Sequence, residues 1–183
     1  MRELSLHILD VLENAVEAGA TRITLTIKED SARNRLAIRV ADNGRGMTPE
    51  VVARVLDPFF TTRRTRHVGL GLPLLAAAAE RAGGGVRVRS QPGAGTVVTA
   101  TFELRHWDRA PLGDLPGTLL AVLLAQPPVA LVYLHWVDGR TFRCDTEELR
   151  AALGDVPLTH PRVRAWLRDY LAEGIAGLQR PEP

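Results

Sequence analysis

Four short motifs between residues 10 and 71 decide the fold of this chain: DVLENA at 10–15, DNGRGM at 42–47, DPFFTTR at 57–63 and GLG at 69–71. Each motif alone is weak, because Asp-Asn-Gly and Gly-x-Gly occur in many ordinary turns. Their order carries the information, since it places them in turn on a helix, at a strand end, in a loop and at a helix start. This order predicts one binding pocket that several elements of a single domain build together.

The hydrophobic periods around these motifs predict the elements that carry them. Apolar residues at helical spacing predict a helix over residues 5–17, and strict alternation predicts an antiparallel hairpin of strands 22–28 and 36–41. On the polar side of that helix Asp10, Asn14 and Glu17 stand in a row. Thr48, as an N-cap residue before Pro49, predicts a short helix to about residue 56.

The next segment, residues 57–68, has no hydrophobic period and reads as a long loop, which in compact domains is usually functional. A third helix over 70–82 and two strands over 86–89 and 97–104 follow. All four strands have one apolar face, so helices should cover one side of the sheet only. The predicted fold class is therefore α+β, a two-layer α/β sandwich with a mixed, mostly antiparallel sheet.

A change of composition at Arg105 predicts a boundary between a domain at 1–104 and a small C-terminal α/β appendage at 105–183. Beyond a turn-rich connector, the pattern predicts a helix over 118–125, a strand hairpin over 129–136 and 141–144 with an Asp-Gly turn, and helices over 146–153 and 159–173. This helix-hairpin-helix-helix extension could lengthen the sheet, cover its polar face or dock a partner.

The composition excludes several classes of protein. The chain has 183 residues, 45% of them apolar, which suffices for a buried core. Its single cysteine, Cys144, rules out an internal disulfide. No signal peptide is visible, and Gln-Pro-Pro at 126–128 breaks the longest apolar stretch, so we expect a cytoplasmic protein without membrane contact. A net charge of only +2, with acidic residues interspersed, argues against nucleic-acid binding.

Taken together, the motifs resemble those of the superfamily of histidine kinases, type II topoisomerases, Hsp90 and MutL (GHKL), whose ATP-binding domain has the Bergerat fold. The matching segments cover residues 1–104: the N box at 10–18, the glycine boxes at 42–47 and 69–71, the F box at 58–63 and GAGT at 93–96. PFFTT followed by GLG is close to the histidine-kinase form, whereas ENAVEAGA at 13–20 is nearer the MutL form.

This resemblance implies ATP and Mg²⁺ as cofactors. It places the Mg²⁺ ion on the amide oxygen of Asn14, the adenine amino group on the carboxylate of Asp42, and Thr96 near the base. It also implies that the N–H groups before the third helix face the phosphates, in keeping with the positive end of a helix dipole. The other pocket residues that the motifs imply are Gly44, Gly46, Met47, Thr62, Arg63, Gly69, Leu70 and Gly71.

Asp10 is the catalytic candidate and the main departure from the family pattern. The family's ATPases and serine kinases commonly hold a glutamate one helical turn before the Asn, acting as a general base. Aspartate is one methylene shorter, so either its reach falls short or a water bridges it to the nucleophile. His7 lies on the same side of the helix, where a packed or surface histidine is expected rather than a phosphate acceptor.

Two functions are consistent with this sequence. The first is a stand-alone kinase that phosphorylates a partner protein in trans, similar to the anti-sigma-factor serine kinases, because the chain begins at the N box and has no lysine beyond Arg105. The second is an ATP-controlled binding module with little or no turnover. The chain also resembles small stand-alone ATP-binding proteins of anaerobic bacteria, through PLGD at 111–114 and VDGR at 137–140. The sequence does not decide whether the chain forms a homodimer.

Overall fold

A computed structural model of the chain describes residues 2–59, 71–125 and 128–179. Within these ranges it forms six helices and six strands. In chain order they are α1 Leu4–Glu17, β1 Arg22–Asp30, β2 Arg35–Asp42, α2 Pro49–Val52, α3 Gly71–Arg81, β3 Gly85–Gln91, β4 Gly95–Glu103, α4 Leu115–Leu123, β5 Ala130–Val137, β6 Arg140–Asp145, α5 Thr146–Leu153 and α6 Pro161–Gln179.

The six strands form one sheet in the order β3-β4-β2-β1-β5-β6. Neighbouring strands run antiparallel except β1 and β5, which are parallel. The sheet is thus mixed and mostly antiparallel, which confirms the predicted fold class. Its register places Asp42, the last residue of β2, opposite Thr96 on β4.

The hydrophobic core lies on one face of this sheet. On β1, Ile23, Leu25 and Ile27 are fully buried, whereas Thr24 and Thr26 between them are only half-buried. The buried strand residues pack with apolar residues of the helices into one cluster, because alternate residues of a strand point to opposite faces. The helices contributing to that cluster are α1, α3, α4 and α6.

The C-terminal segment lengthens the sheet, the first of the three roles expected for it. Strand β5 pairs along its whole length with β1, from Arg22 opposite Ala130 to Glu29 opposite Val137. Leu119 of α4 and Leu131 of β5 join the same core as the N-terminal helices. The core is therefore continuous across residue 104, and the division into 1–104 and 105–183 stays a proposal.

Helix α4 spans Leu115–Leu123 rather than 118–125, and α2 and α6 differ more in length from their predictions. Helix α2 ends at Val52 rather than near residue 56, and none of its residues is buried. Thr48 is its N-cap residue, but the hydroxyl makes no capping hydrogen bond. Helix α6 continues to Gln179, beyond the predicted residue 173, because Leu171 and Leu178 keep its apolar side buried. Burial against the core, rather than local capping, thus decides both lengths.

No helix in the described ranges combines the length and the hydropathy that a bilayer crossing requires.

Candidate functional site

Asp10 and Asn14 lie one helical turn apart on α1, and both are half-buried. The opposite side of the helix is anchored in the core by Ile8 and Leu12, which are 2% and 0% exposed. This amphipathic pattern fixes the rotation of the helix about its axis. It therefore also fixes the direction in which the two polar side chains project.

The start of α3 packs directly against Asp10. A Cβ atom placed on Gly71 would lie 3.1 Å from the Cβ of Asp10 and 3.3 Å from its Oδ2. The glycine therefore allows the close approach of these two helices. It also places a carboxylate beside the first turn of α3, where the partial positive charge of a helix lies.

The carboxylate of Asp42 is held in a defined orientation at the end of β2. Its Oδ1 accepts a hydrogen bond from the N–H of Gly44 at 2.8 Å. Gly44 in turn packs on the end of α1, since an added Cβ would lie 2.9 Å from the Cβ of Ala18. The first glycine box is thus in contact with the same helix that carries Asp10.

Other polar groups of the first glycine box form hydrogen bonds with the turn between α1 and β1. Arg45 donates its backbone N–H to the carbonyl of Ala18 at 2.9 Å. The side-chain oxygen of Asn43 accepts from the N–H groups of Thr21 and Arg22, each at 2.9 Å. Asn43 is therefore a structural residue of the motif, a role that its position in a turn sequence did not reveal.

Gly46 and Gly95 are required by close contacts between backbone segments. Both have positive φ, at 68° and 89°. A Cβ on Gly46 would lie 1.9 Å from the carbonyl oxygen of Gln91, and one on Gly95 would lie 1.9 Å from that of Asp42. The family motifs imply Gly46 as a residue of the nucleotide pocket. In the structure its contact is with the β3–β4 turn.

Ser90 joins three parts of the site and was missed by the sequence analysis. Its hydroxyl accepts from the N–H of Met47 at 2.8 Å, donates to the carbonyl of Gly95 at 2.8 Å and lies 2.9 Å from Oγ1 of Thr96. These bonds use its one donor and both acceptor positions. A signal was present, because Ser90 stands where the inward-facing series Val86 and Val88 would continue with a third apolar residue.

The structure brings the predicted residues together in two groups along α1. One group contains Asp42, Gly44, Met47 and Thr96, with Gly46 beside them, and it contacts Ala18 through Gly44. The other contains Asp10 and Gly71. Asn14 stands one turn from each end, and the eight helical steps from Asp10 to Ala18 span about 12 Å at about 1.5 Å per step. Four predicted residues lie outside the described part of the chain: Thr62, Arg63, Gly69 and Leu70.

His7, one turn before Asp10, is a packed residue. It is 3% exposed, and within the described ranges its Nδ1 has no hydrogen-bond partner. Burial, with the positive charges of the N-terminus and Arg81, lowers the pKa of His7 below its usual value. Of the two positions expected for this histidine, packed or at the surface, the structure shows the packed one.

The donor atoms on α1 have the chemistry that Mg²⁺ prefers. Asn14 offers a neutral amide oxygen and Asp10 a carboxylate, and Mg²⁺ takes oxygen ligands while keeping several waters. The described residues contain no group of three or more His, Cys, Asp and Glu side chains placed to hold a metal ion. Asn14 thus fits a metal whose other ligands come from a bound nucleotide and water.

Comparison with known proteins agrees with this arrangement. Residues 2–106, more than half of the chain, match the family model described as histidine kinase-, DNA gyrase B- and HSP90-like ATPase. The chain therefore belongs to this family, and residues 2–106 form a histidine-kinase-like ATP-binding domain.

Curated relatives include sensor histidine kinases. ZraS of Salmonella typhi is 33% identical over 93 residues, covering 50% of this chain and 20% of the relative. FleS of Pseudomonas aeruginosa is 38% identical over 97 residues, covering 53% of this chain and 24% of the relative. The chain thus spans about a fifth to a quarter of the length of these relatives.

One solved structure supports the fold over a longer stretch. The N-terminal domain of a DNA repair protein superposes with a TM-score of 0.57 at 12% identity, covering 78% of this chain and 52% of that chain. At this identity the likeness concerns the fold alone.

Proposed function

We propose that this chain binds ATP with Mg²⁺ along α1 and transfers the γ-phosphoryl group to a partner protein. The observation that carries the proposal is the single stripe of Asp10, Asn14 and Ala18. Both glycine-box segments contact this stripe, through Gly71 at one end and Gly44 at the other. One ligand lying along the helix would therefore reach Asp42 and the start of α3 together.

Adenine recognition is assigned to Asp42. Its carboxylate accepts hydrogen bonds only, so it suits the amino group of adenine, whereas guanine would face it with a second acceptor. The hydrogen bond from the Gly44 N–H limits rotation of this carboxylate. Ser90 and Thr96 hold the neighbouring strand end in place through their hydroxyl contact.

The triphosphate is assigned to the other end of the stripe, where the N–H groups at the start of α3 are left without helical partners. Mg²⁺ bound to the phosphates would neutralise part of their charge during transfer. Asn14 would hold that ion through its amide oxygen, midway between the adenine end and Asp10.

Asp10 is proposed as the general base. It would take the proton from the acceptor group of the partner while a new bond forms to the γ-phosphorus and the bond to the bridging oxygen of ADP breaks. The closeness of Asp10 to Gly71 supports this role, because it brings the carboxylate beside the start of α3, where the triphosphate is proposed to bind.

One observation favours a second function, an ATP-controlled binding module with little turnover. A carboxylate beside the first turn of α3 also stabilises that helix electrostatically, and this role needs no catalysis. In that case nucleotide binding would order the site and change a partner surface without transfer of phosphate.

An assay with γ-labelled ATP and Mg²⁺, with and without cell extract, separates the two functions. The kinase proposal predicts label on a protein band, loss of that label in Asp10→Asn, and unchanged ATP affinity in this variant. The matched control is Asp138→Asn, at an exposed hairpin turn, which should label normally. Tight ATP binding without label or released phosphate would support the binding module, and released phosphate alone would indicate an ATPase.

A further inference from the structure

The sheet has a second face, which the helices leave uncovered. The strand register defines one row across it: Arg87, Thr99, Arg39, Thr26, Leu134 and Arg143, from β3 to β6. We call this row, together with the residues two positions away on the same strands, the open sheet face. On β5 these neighbours are Val132 and Trp136.

The apolar residues of this face do not belong to the core. Val132, Leu134 and Trp136 are each half-buried, and none of them is part of the hydrophobic clusters that the described residues form. The inward-facing residues of the same strand, Leu131 and Tyr133, are 2% and 1% exposed and do belong to the core. The open sheet face thus presents an apolar strip that no described helix covers.

The other half of the face is positively charged. Arg39, Arg87, Arg89 and Lys28 are exposed, and none of them forms a salt bridge with another described residue. Strands lie roughly 4.8 Å apart, so the Cα atoms of Arg39 and Arg87 are about 10 Å apart across β4. Small uncharged residues lie between these cations: Thr24, Thr26, Ala37, Val97, Thr99 and Thr101.

Protection of a sheet edge explains only part of this charge. Charged residues on an edge strand prevent pairing with other chains, and β3, which carries Arg87 and Arg89, is an edge strand. Arg39 lies on β2, an interior strand between β4 and β1. Its exposed guanidinium therefore has no edge to protect.

We propose that the open sheet face docks a partner protein through an acidic surface with an apolar centre. Arginine and tryptophan are enriched where proteins bind one another, and Arg39 and Trp136 share this face. The sheet spans five strand spacings, about 24 Å, which gives a face of roughly 500 Å² and suits a transient contact. The face lies on the other side of the sheet from α1 and α3, so docking leaves the candidate nucleotide site open.

Other occupants fit this face less well. Single-stranded nucleic acid binds by stacking successive bases on aromatic rings, and Trp136 is the one tryptophan, tyrosine or phenylalanine in the described part of this face. Asp145 and Glu148, held by Arg143, also place negative charge beside the apolar strip. A second copy of the chain would oppose arginine to arginine. An acidic protein surface with an apolar centre would meet the arginines with its charge and the strip beside Asp145 and Glu148 with its apolar part, which a uniformly charged nucleic-acid backbone cannot do.

Trp136 provides a direct reporter of binding. With Trp107→Phe and Trp166→Phe, it becomes the only tryptophan, since the chain has three. Its emission is followed while adding an acidic peptide of glutamate, leucine and alanine, the same peptide with lysine for glutamate, or a single-stranded oligonucleotide. We expect the acidic peptide alone to shift the emission, with an affinity that falls as salt is added.

Two charge-reversed variants locate the contact. Arg87→Glu with Arg89→Glu should weaken binding of the acidic peptide by at least about tenfold. The control, Arg164→Glu with Arg168→Glu on the exposed side of α6, should bind normally. Thermal melts verify that both variants fold. The proposal is overturned if the acidic peptide does not bind or if the lysine peptide binds equally well. It is also overturned if the oligonucleotide binds more tightly, or if the Arg87→Glu, Arg89→Glu variant binds the acidic peptide normally.

Discussion

Ser90 is the residue on which the adenine end of the candidate site most depends. It is partly buried, and its hydroxyl contacts Met47 of the first glycine box and both Gly95 and Thr96 at the start of β4. None of the motif segments of this chain includes it, because its role arises from the pairing of β3 with β4. A residue of this kind becomes visible only when the register of β3 and β4 is known.

Ser90→Ala should weaken ATP binding severalfold and lower the free energy of unfolding by about 1 kcal/mol. The N–H of Met47 would lose its acceptor, and the strand end that carries Thr96 would lose a contact. Calorimetric titration with Mg-ATP and urea unfolding measure the two effects. The control is Thr101→Val on the neighbouring strand β4, whose hydroxyl donates to the carbonyl of Gly85 at 3.4 Å, away from the site. Wild-type ATP affinity in Ser90→Ala would show that the hydrogen bonds of the Ser90 hydroxyl are not needed for ATP binding.

His7 should make stability depend on pH. Its pKa is lowered in the folded state, so below the ordinary value of 6.5 the unfolded chain binds a proton that the folded chain does not. The contribution is complete above that pH and is lost as pH falls from 6.5 toward the lowered pKa. Urea unfolding between neutral pH and mildly acidic pH should show this loss in the wild type and a smaller loss in His7→Gln.

The control for this measurement is His160→Gln, at an exposed position before α6. It should keep the pH dependence of the wild type. Equal pH dependence in His7→Gln and wild type would mean that His7 is solvated in the folded protein.

At the scale of elements, β5 ties the C-terminal segment to the ATP-binding domain. Besides pairing with β1, it carries His135, which is fully buried and contacts Glu29 of β1 at 2.9 Å and the Tyr133 hydroxyl at 2.8 Å. Burial raises the pKa of Tyr133, so its hydroxyl stays protonated. A buried polar network between the two segments is costly to separate, because each group would lose its partner.

A chain ending at residue 104 should therefore be less stable than the full chain and should self-associate. Loss of residues 105–183 would expose the edge of β1 and the apolar side of α1 that α4 covers. The full chain should unfold in one transition. Differential scanning calorimetry and size-exclusion chromatography test this, and a monomeric fragment with an unchanged melting temperature would establish 1–104 as an independent domain.

The elements also show what sequence patterns can and cannot predict. Helix α1 and the β1–β2 hairpin were predictable because one side of each is buried and the other is polar. The lengths of α2 and α6 were not, since a proline and an acid in a first turn do not show whether the next turns find a core. The partner of β5 was not predictable either, because several roles of the tail suited its alternating pattern equally.

At the scale of the whole molecule, the fold places two surfaces on opposite sides of one sheet. Motif order was enough to predict the ATP-binding family, while the binding roles of the α1 stripe and of the two glycine boxes stay predictions. The contacts of the Ser90 hydroxyl and the charge of the open sheet face depend on which strands are neighbours. Sequence spacing does not contain that information, because β3 pairs with β4 while β1 pairs with the distant β5.

The most direct test of the account is calorimetric titration of Mg-ATP and Mg-GTP into the wild type, Asp42→Ala and the control Asp138→Ala. We expect the wild type and the control to bind ATP and not GTP. Asp42→Ala should lose at least about tenfold in ATP affinity, since it removes the acceptor for the adenine amino group. Absence of ATP binding in the wild type, or equal ATP affinity in Asp42→Ala, would contradict the assignment of this site.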